Sequence, residues 1–252
     1  MGYVHHFGDR PENYLSFRPD YPQALFSYLA KTAKNNNTAW DCATGNGQAA
    51  SALSPYFKQV IATDINQAQL DVAPKKKNIS YHVWPAEHTQ IENSSVDLVT
   101  IAQALHWFDF SMFYDEVRRV ATADGIIAAW CYSLCTVNPA IDTVIKKLYF
   151  EILGETYLPK EAKFIRDEYK TIPFPFMKQQ VPVFSIEKDI NFKQLIGYFQ
   201  TWSAVKEYQN RLLKNPLDLI VSDLKKAWGN TNENQHISWP IHLLVGRVHE
   251  LK

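Results

Sequence analysis

Two acidic residues and two glycines near the start of the chain are spaced as in a ligand-binding turn. Asp41 stands four positions before Gly45, Gly47 follows, and Asp64 ends the next apolar run, 19 residues after the first glycine. A side chain at either glycine would obstruct a tight strand-to-helix turn and keep a ligand away from the main chain. A carboxylate at the end of the second strand can accept hydrogen bonds from both hydroxyls of a ribose. The spacing therefore predicts a site for a ligand that carries a nucleoside.

The charge at Asp41 discriminates between two such ligands. NAD would place a pyrophosphate at the helix N-terminus, where backbone N–H groups suit it and a nearby carboxylate would repel it. S-adenosylmethionine carries no phosphate, and its ammonium and sulfonium groups are both attracted to negative charge. The residue types favour S-adenosylmethionine and hence methyl transfer. An NAD-dependent oxidoreductase is the alternative, and a turn cap is the structural alternative for Asp41.

Short apolar segments are expected to hold this turn. Residues 38–43 and 60–62 have the character of buried strands, and residues 48–53 between them favour a helix. Ala50 occupies the position where a small side chain lets helix and strand pack closely. Further strands are expected at residues 79–83, 96–102 and 125–130. Strands that alternate with helices predict a parallel sheet covered on both faces.

Beyond Cys131 this alternation stops and amphipathic helices dominate. Helices are expected to begin at Asn138 and to cover residues 192–202 and 216–228. Strand-like alternation returns at residues 180–186 and 237–248, which we interpret as the final pair of strands of the same sheet.

Composition is typical of a compact enzyme. The chain has 252 residues, 46% of them hydrophobic, and a formal net charge of zero. Because nucleic-acid binding requires clustered Lys and Arg, this balance predicts no nucleic-acid partner. The one compact basic run, at residues 75–77, is typical of a solvated turn.

The three cysteines, Cys42, Cys131 and Cys135, fit neither a disulfide framework nor a metal site. We expect reduced thiols in a cytoplasmic protein with no bound metal. No apolar run has the length of a signal peptide or a membrane span, so no membrane partner is expected.

Several motifs in order resemble those of class I S-adenosylmethionine-dependent methyltransferases: DCATGNG, VIATD, PAE, SVDLVTIAQALHWFD and RRVATADGIIAAW. The similarity is greatest to the small-molecule methyltransferase type 11 branch that contains the trans-aconitate methyltransferases. That branch tends to carry a Y-x-x-x-R-P-x-Y-P opening and a T-W-S-A segment, which stand here at residues 14–22 and 201–204. Ala-Asp-Gly at residues 123–125 replaces the usual Pro-Gly-Gly, and the glycine-rich loop has two glycines where some relatives have three.

The resemblance implies a fold and a division of the chain. The fold is an α/β, Rossmann-like, doubly wound and mostly parallel seven-stranded sheet, with the last strand antiparallel and helical cap insertions in the C-terminal half. Residues 1–35 would form an N-terminal segment and helix closing over the cofactor. Residues 36–132 would form the S-adenosylmethionine-binding core, and residues 133–252 the cap insertions with the final two strands.

The resemblance also implies roles around S-adenosyl-L-methionine. Residues of the first turn would hold the methionine end: Ala43, Gly45 and Gly47 beneath it, and Asp41 at its ammonium group, directly or through water. Residues after the second and third strands would hold the nucleoside: Asp64 at the ribose, Ile65 on adenine, and Ala86 and Glu87 at the polar edge of adenine. An exposed loop carboxylate is the alternative for Glu87.

Two further regions are implied in binding. Gln103, just past the fourth strand, would offer backbone groups to the methionine end. Tyr14 and Arg18 would fold over the donor, and the arginine could pair bidentately with a carboxylate of the donor or of the substrate. The alternative for Arg18 is a surface residue that precedes Pro19.

Methyl transfer from a sulfonium is an in-line displacement, so catalysis rests mainly on positioning and on exclusion of water. A carboxylate acceptor needs no general base, whereas a hydroxyl or amine can need one. His106 is the candidate base and Trp107 its catalytic neighbour, with shaping of the pocket as the alternative. Trp107, Trp202 and Tyr208 are candidates for the substrate pocket, with core packing as their alternative.

The resulting hypothesis is an S-adenosylmethionine-dependent methyltransferase that acts on a small molecule, with O-methylation of a carboxylic acid as the reaction. An NAD-dependent oxidoreductase and a non-catalytic S-adenosylmethionine-binding protein are the alternatives. The expected partner is a small-molecule methyl acceptor, and the expected state is a monomer or homodimer.

Overall fold

The computed structural model describes residues 17–249, which form two compact units. The first, which we call the sheet unit, contains residues 21–132, 164–184 and 241–249. The second, which we call the helical unit, contains residues 17–20, 133–163 and 185–240.

The strands form one mixed sheet of eight strands in the order β3-β2-β1-β4-β5-β8-β6, with β7 paired to β8. In chain order the strands are β1 (Thr38–Cys42), β2 (Gln59–Asp64), β3 (Ile79–Val83), β4 (Val96–Ala102), β5 (Ala121–Tyr132), β6 (Met177–Lys178), β7 (Phe184–Ile190) and β8 (Gln235–Arg247). Neighbours among β1 to β5 are parallel, and β8 is antiparallel to β5 and β6. The predicted mostly parallel sheet with antiparallel C-terminal strands is confirmed.

The sheet departs from the prediction in its strand count, which is eight and not seven. The strand expected at residues 180–186 forms only from Phe184, as the start of β7, and the short β6 lies before the expected range, with irregular backbone at residues 179–183 between them. Pro182 lies in this gap, and a proline has no N–H to donate to a neighbouring strand. The alternating pattern was therefore correct for residues 184–186 and wrong for residues 180–183.

The helices of the described residues connect these strands and fill the helical unit. In chain order they are α1 (Gln23–Thr32), α2 (Gln48–Leu53), α3 (Gln67–Asp71), α4 (Phe110–Val120), α5 (Pro139–Lys146), α6 (Gly154–Tyr157), α7 (Ala162–Arg166), α8 (Phe192–Gln200), α9 (Ser203–Leu212) and α10 (Val221–Trp228). Two short 3₁₀ turns, Leu105–Trp107 and Pro216–Leu219, and a π-helix, Lys147–Leu153, complete the set.

Burial of the central strands explains why the sequence reads as unbroken apolar runs there. In β4, every residue from Val96 to Ile101 is buried, including Asp97 and Thr100. A parallel strand that has helices on both faces has no solvent-facing side, so the usual alternation of polar and apolar residues is lost. The apolar face of α4 packs on this core through the residues that its helical spacing predicts, Phe113, Val117 and Val120.

The helical unit forms from well-capped helices with an aromatic core. The side chain of Asn138 accepts hydrogen bonds from the N–H groups of Ala140 and Ile141 and so begins α5. Asn191 and Gln194 form a reciprocal capping box at the start of α8. Rings of Tyr149, Tyr198 and Phe199 lie 4.9–5.8 Å from the ring of Trp202.

The lengths of the helices and the burial of the cysteines are two further properties of the described residues. The helices found in residues 17–249 are all too short or too polar to cross a membrane. All three cysteines are buried as free thiols, and burial raises the pKa of each thiol, that of Cys135 to about 12.

Candidate functional site

The turn after β1 depends on two glycines for different reasons. Gly45 and Gly47 have φ angles of 56° and 78°, a region that side chains disfavour. A Cβ at Gly47 would lie 2.6 Å from the hydroxyl oxygen of Tyr81, so this position also lacks space. Among the described residues other than its chain neighbours, none would come closer than 4.0 Å to a Cβ at Gly45, so a glycine is required there for its backbone angle.

Asp64 links the end of β2 to the glycine turn after β1 by a hydrogen bond. Its Oδ2 accepts a hydrogen bond of 2.8 Å from the N–H of Gly45, and its Oδ1 accepts one of 2.8 Å from the N–H of Asn66. A carboxylate has about four acceptor positions, so two main-chain bonds leave acceptor capacity for a ligand. Partial burial raises the pKa of Asp64, and the main-chain bonds oppose that rise. The group is thus anchored, partly open and able to accept hydroxyl hydrogen bonds.

Asp41 lies in a different environment, although it stands one residue before the end of the neighbouring strand, β1. It is 0% exposed, and its oxygens accept hydrogen bonds from the hydroxyls of Thr44 at 2.5 Å and Thr100 at 2.8 Å. Burial raises the pKa of Asp41 to about 6, against the effect of these hydroxyls. The geometry makes Asp41 a brace between β1, β4 and the turn. Its predicted contact with an ammonium group stays a prediction.

Two residues with a strained backbone mark the point where the strand order reverses. Ala43 follows β1 with a φ of 52°, and Gln103 follows β4 with a φ of 57°. Left-handed backbone at residues other than glycine costs free energy and clusters at functional sites. Ligands of open α/β sheets bind beyond the carboxyl ends of strands at this switch point, here between β1 and β4.

Both the backbone and the side chain of Gln103 carry polar groups at this switch point. Its N–H donates to the carbonyl of Trp130 at 2.8 Å and is therefore occupied by the protein. Its side-chain Oε1 is shielded from solvent, and no donor within residues 17–249 reaches it. A buried carbonyl oxygen without a donor is costly, so this atom is a candidate ligand contact.

The residues predicted to hold a nucleoside follow β2 and β3. Ile65, next to Asp64, is 55% exposed, which is unusual for so large an apolar side chain at a strand end. Ala86 is buried, and Oε1 of the half-buried Glu87 accepts a hydrogen bond of 3.2 Å from the N–H of Asp109. The expected adenine contacts of these residues stay predictions.

His106 and Trp107 occupy the 3₁₀ turn after β4. His106 is buried, and its Nδ1 lies 2.9 Å from the hydroxyl oxygen of Tyr169. Burial lowers the pKa of His106 to about 4, so the imidazole is neutral at pH 7. The half-buried Trp107 ring packs 4.8 Å from the ring of His106. This environment suits a packed wall, and the role of His106 as a base stays a prediction.

The remaining predicted residues belong to the helical unit or lie outside the described residues, as Tyr14 does. Arg18 donates from Nη2 to the carbonyl of Thr201 at 3.3 Å, and its guanidinium lies 5.6 Å from the ring centre of Tyr198. Trp202 is buried in the aromatic core of that unit, and Tyr208 packs 4.7 Å from Tyr157. Their binding roles stay predictions.

Sequence reasoning missed two partners of the site. Thr100 binds Asp41, and its signal was a lone hydroxyl late in the otherwise apolar end of β4. Tyr169 faces His106 from 63 residues along the chain, and no local pattern identifies it. Within the described part of the chain, no group of three or more His, Cys, Asp or Glu side chains could hold a metal ion.

The sheet order, the glycine turn after β1 and the acidic residue at the end of β2 together define the class I methyltransferase fold. Residues 40–129 match the methyltransferase domain family. The chain is 32% identical to a methyltransferase of Dictyostelium discoideum over 96% of its own length and 94% of the relative. It is 37% identical to a type II methyltransferase structure from Anaeromyxobacter dehalogenans, with a TM-score of 0.87 over 93% of this chain and 100% of that one.

The chain therefore belongs to the class I S-adenosylmethionine-dependent methyltransferases and is an enzyme of that class. A further relative, an S-adenosylmethionine-dependent methyltransferase by name from Saccharomyces cerevisiae, is 33% identical over 48% of this chain and 44% of its own. None of these similarities supports an NAD-dependent oxidoreductase or a non-catalytic binding protein.

The residues at the carboxyl edge fit a donor of this kind. Asp64 offers acceptor capacity for ribose hydroxyls, and exposed Ile65 offers an apolar surface for a base. The donorless Oε1 of Gln103 suits a cationic N–H group, and the space beside Gly45 leaves its main chain uncovered by side chains.

Proposed function

We propose that this enzyme binds S-adenosyl-L-methionine at the carboxyl edge of β1, β2 and β4 and transfers its methyl group to a small carboxylic acid. The observation that carries the donor assignment is the bond between Gly45 N–H and Asp64, which fixes a partly open carboxylate beside the glycine turn. The donor brings the electrophilic methyl group. The chain supplies binding, orientation and exclusion of water.

Asp64 is assigned to the ribose because its anchored carboxylate keeps free acceptor positions. Ile65 is assigned to one face of adenine, since an exposed isoleucine gains by covering its apolar surface. Ala86 and Glu87 are assigned to the polar edge of adenine. Ala43, Gly45 and Gly47 are assigned to the methionine end.

A carboxylic acid is proposed as the acceptor because it needs no general base, and His106, the candidate base, is poorly suited to that role. His106 is buried and has a pKa of about 4, so its neutral imidazole is a weak base and does not reach solvent readily. A carboxylate is ionised at that pH and attacks without losing a proton. The similarity to the trans-aconitate branch and the presence of Arg18, which can pair with a carboxylate, support the same substrate class.

Several assignments accompany this proposal. Trp107, Trp202 and Tyr208 are proposed to contact the acceptor, and Tyr14 and Arg18 to bind a carboxylate of the donor or acceptor. The enzyme is proposed to act in the cytoplasm as a monomer or homodimer, without nucleic acid or membrane. The formal net charge of zero supports the absence of a phosphate-binding surface.

A donor-turnover screen tests this function. Purified enzyme is incubated with S-adenosylmethionine and a library of small acids, alcohols and amines, and S-adenosylhomocysteine is quantified. We expect turnover with a subset of the acids, methyl esters as products, and little with alcohols or amines. Turnover confined to amines or alcohols would overturn the acceptor class and retain the donor assignment.

A further inference from the structure

Tyr169 and His106 form a buried polar pair inside the sheet unit. The hydroxyl oxygen of Tyr169 lies 2.9 Å from Nδ1 of His106, and the two residues are 0% and 3% exposed. No other side chain of residues 17–249 is hydrogen-bonded to either group. A bond between two segments that are 63 residues apart therefore fixes the orientation of the imidazole.

The backbone that carries Tyr169 is strained. Glu168 and Tyr169 have φ angles of 57° and 58°, in the left-handed region that side chains disfavour. The N–H of Tyr169 donates to the carbonyl of Phe164 at 2.8 Å, and the resulting turn after α7 brings the Tyr169 ring into the core. Two successive residues of this kind persist only where the surrounding structure fixes them, and such strain clusters at functional sites. The pair is thus a candidate for a role beyond packing.

The direction of the bond follows from the hydrogens that each group carries. Burial lowers the pKa of His106 to about 4, so at pH 7 the imidazole has one N–H and one unprotonated nitrogen. Burial raises the pKa of Tyr169, against a hydrogen bond from the main chain of His106, so the hydroxyl keeps its hydrogen. If Nδ1–H donated to the hydroxyl, the hydroxyl hydrogen would be buried without an acceptor from residues 17–249. Donation from the hydroxyl to Nδ1 satisfies both groups and places the imidazole hydrogen on Nε2.

This Nε2–H is a neutral donor at the carboxyl edge of the sheet. His106 lies four residues beyond Ala102, the last residue of β4, on the side of the sheet where ligands of such folds bind. Within residues 17–249 no acceptor is bonded to Nε2. A neutral N–H can hold one oxygen of a carboxylate without cancelling the charge that attacks the methyl group. An imidazolium would repel the sulfonium of the donor, so a neutral ring suits this task.

We infer that the Tyr169 hydroxyl donates to Nδ1 of His106 and holds the imidazole in its Nε2–H form, which donates a hydrogen bond to a carboxylate oxygen of the methyl acceptor. This inference rests on the proposed carboxylic acid acceptor and names the group that orients it. Tyr169 is a positioning residue, because it acts through His106. Neither nitrogen of His106 then has a free lone pair, so the residue is a hydrogen-bond donor and not the general base.

Nitrogen NMR of the free enzyme, with isotope-labelled histidine, tests the positions of the hydrogens. His106→Gln identifies the His106 signals by their disappearance. In wild type at pH 7 we expect hydrogen on Nε2 and a hydrogen-bonded, unprotonated Nδ1. In Tyr169→Phe the Nδ1 signal should move to that of a nitrogen without this bond, because the hydroxyl is absent.

Tyr114→Phe is the matched control for Tyr169→Phe. Tyr114 is also a buried tyrosine of the sheet unit, but its hydroxyl donates to the carbonyl of Pro173 and not to His106. Both variants lose one buried hydroxyl bond, so their melting temperatures should fall by similar amounts. Only Tyr169→Phe should move the Nδ1 signal of His106.

Turnover tests the contact with the acceptor, and the probe is the acid with the highest turnover in the donor-turnover screen. Tyr169→Phe should lower kcat/KM for this acid about tenfold, since the donor to a charged oxygen is no longer held, and should bind S-adenosylhomocysteine within about twofold of wild type. Tyr114→Phe should keep kcat/KM. His106→Gln retains an acceptor for the hydroxyl of Tyr169 and an amide N–H, so it should turn over several-fold faster than His106→Leu.

The outcomes separate the inference from the proposed function. Hydrogen on Nδ1 in wild type, or an Nδ1 signal that Tyr169→Phe leaves in place, would overturn the bond. Equal losses of kcat/KM in Tyr169→Phe and Tyr114→Phe, or equal turnover of His106→Gln and His106→Leu, would overturn the contact with the acceptor. In each of these cases acids are still methylated by wild type. If wild type methylates no acid of the screen, the proposed acceptor class itself fails.

Discussion

The carboxyl ends of β1 and β2 lie side by side and each carries an aspartate, yet the two carboxylates have different surroundings. Asp41 is closed off and bound by hydroxyl groups, whereas Asp64 is partly open and bound by main-chain N–H groups. Charge alone therefore does not identify a ligand contact. Burial and existing hydrogen bonds decide whether a carboxylate braces the protein or remains available.

The largest effect on donor binding is expected at Asp64, the partly open carboxylate at the end of β2. Asp64→Ala removes the proposed ribose acceptor and the partner of Gly45, so we expect S-adenosylhomocysteine to bind about 100-fold more weakly or not at all. Calorimetric titration measures the loss. Asp71→Ala, an exposed aspartate in α3, is the control and should bind normally. Unchanged affinity in Asp64→Ala would remove the contrast between the two strand ends.

Asp41, the buried carboxylate near the end of β1, should make the stability of the fold depend on pH. Folding raises the pKa of Asp41 from 3.8 to about 6, so the folded chain holds this proton more tightly than the unfolded chain. The contribution of Asp41 to the free energy of unfolding therefore falls as pH rises from about 4 to about 6, and is constant above that. Asp41→Asn lacks this dependence, so wild type should lose about 3 kcal/mol relative to the variant across that range.

Urea unfolding at several pH values between 4 and 7 measures this difference. Thr100→Val is the matched variant, because it removes a hydroxyl that opposes the raised pKa of Asp41. Its loss of stability with rising pH should be larger than that of wild type and should extend to higher pH. Parallel pH profiles for wild type and Asp41→Asn would show that Asp41 does not titrate as its burial requires.

The smallest effect is expected at Ile65, beside the open carboxylate. Because this side chain is 55% exposed, Ile65→Ala should leave the melting temperature nearly unchanged. Loss of apolar contact with adenine should weaken S-adenosylhomocysteine about three- to tenfold. Val183→Ala, at a side chain 96% exposed, should change neither quantity. A large fall in melting temperature in Ile65→Ala would assign Ile65 to the core instead.

Much of the secondary structure of the sheet unit could be predicted from local sequence patterns. The boundaries of α2, β3 and β4 agree with the ranges expected from the sequence, because short apolar runs between turn residues admit few other structures. The link between Gly45 and Asp64 likewise agrees with the predicted spacing. Such features depend on neighbours that are close along the chain or on a recurrent turn.

Features that depend on distant partners could not be predicted in this way. The sequence around Asp41 does not indicate that the hydroxyl of Thr100, from another strand, donates a hydrogen bond to one of its oxygens. The helix expected at residues 192–202 ends at Gln200, and Trp202 is the N-cap residue of α9. The prediction ran too far because the helical spacing of apolar residues continues through the break. Tertiary packing overrides periodicity at such positions.

The burial of all three thiols has a practical consequence. Cys42, Cys131 and Cys135 are at most 2% exposed, and their raised pKa values keep them protonated at neutral pH. Since maleimides react with accessible thiolates, the folded wild-type chain should resist labelling. A cysteine introduced at Val183 would be the site that takes a fluorophore. The labelled protein could then be studied optically without first replacing the native cysteines.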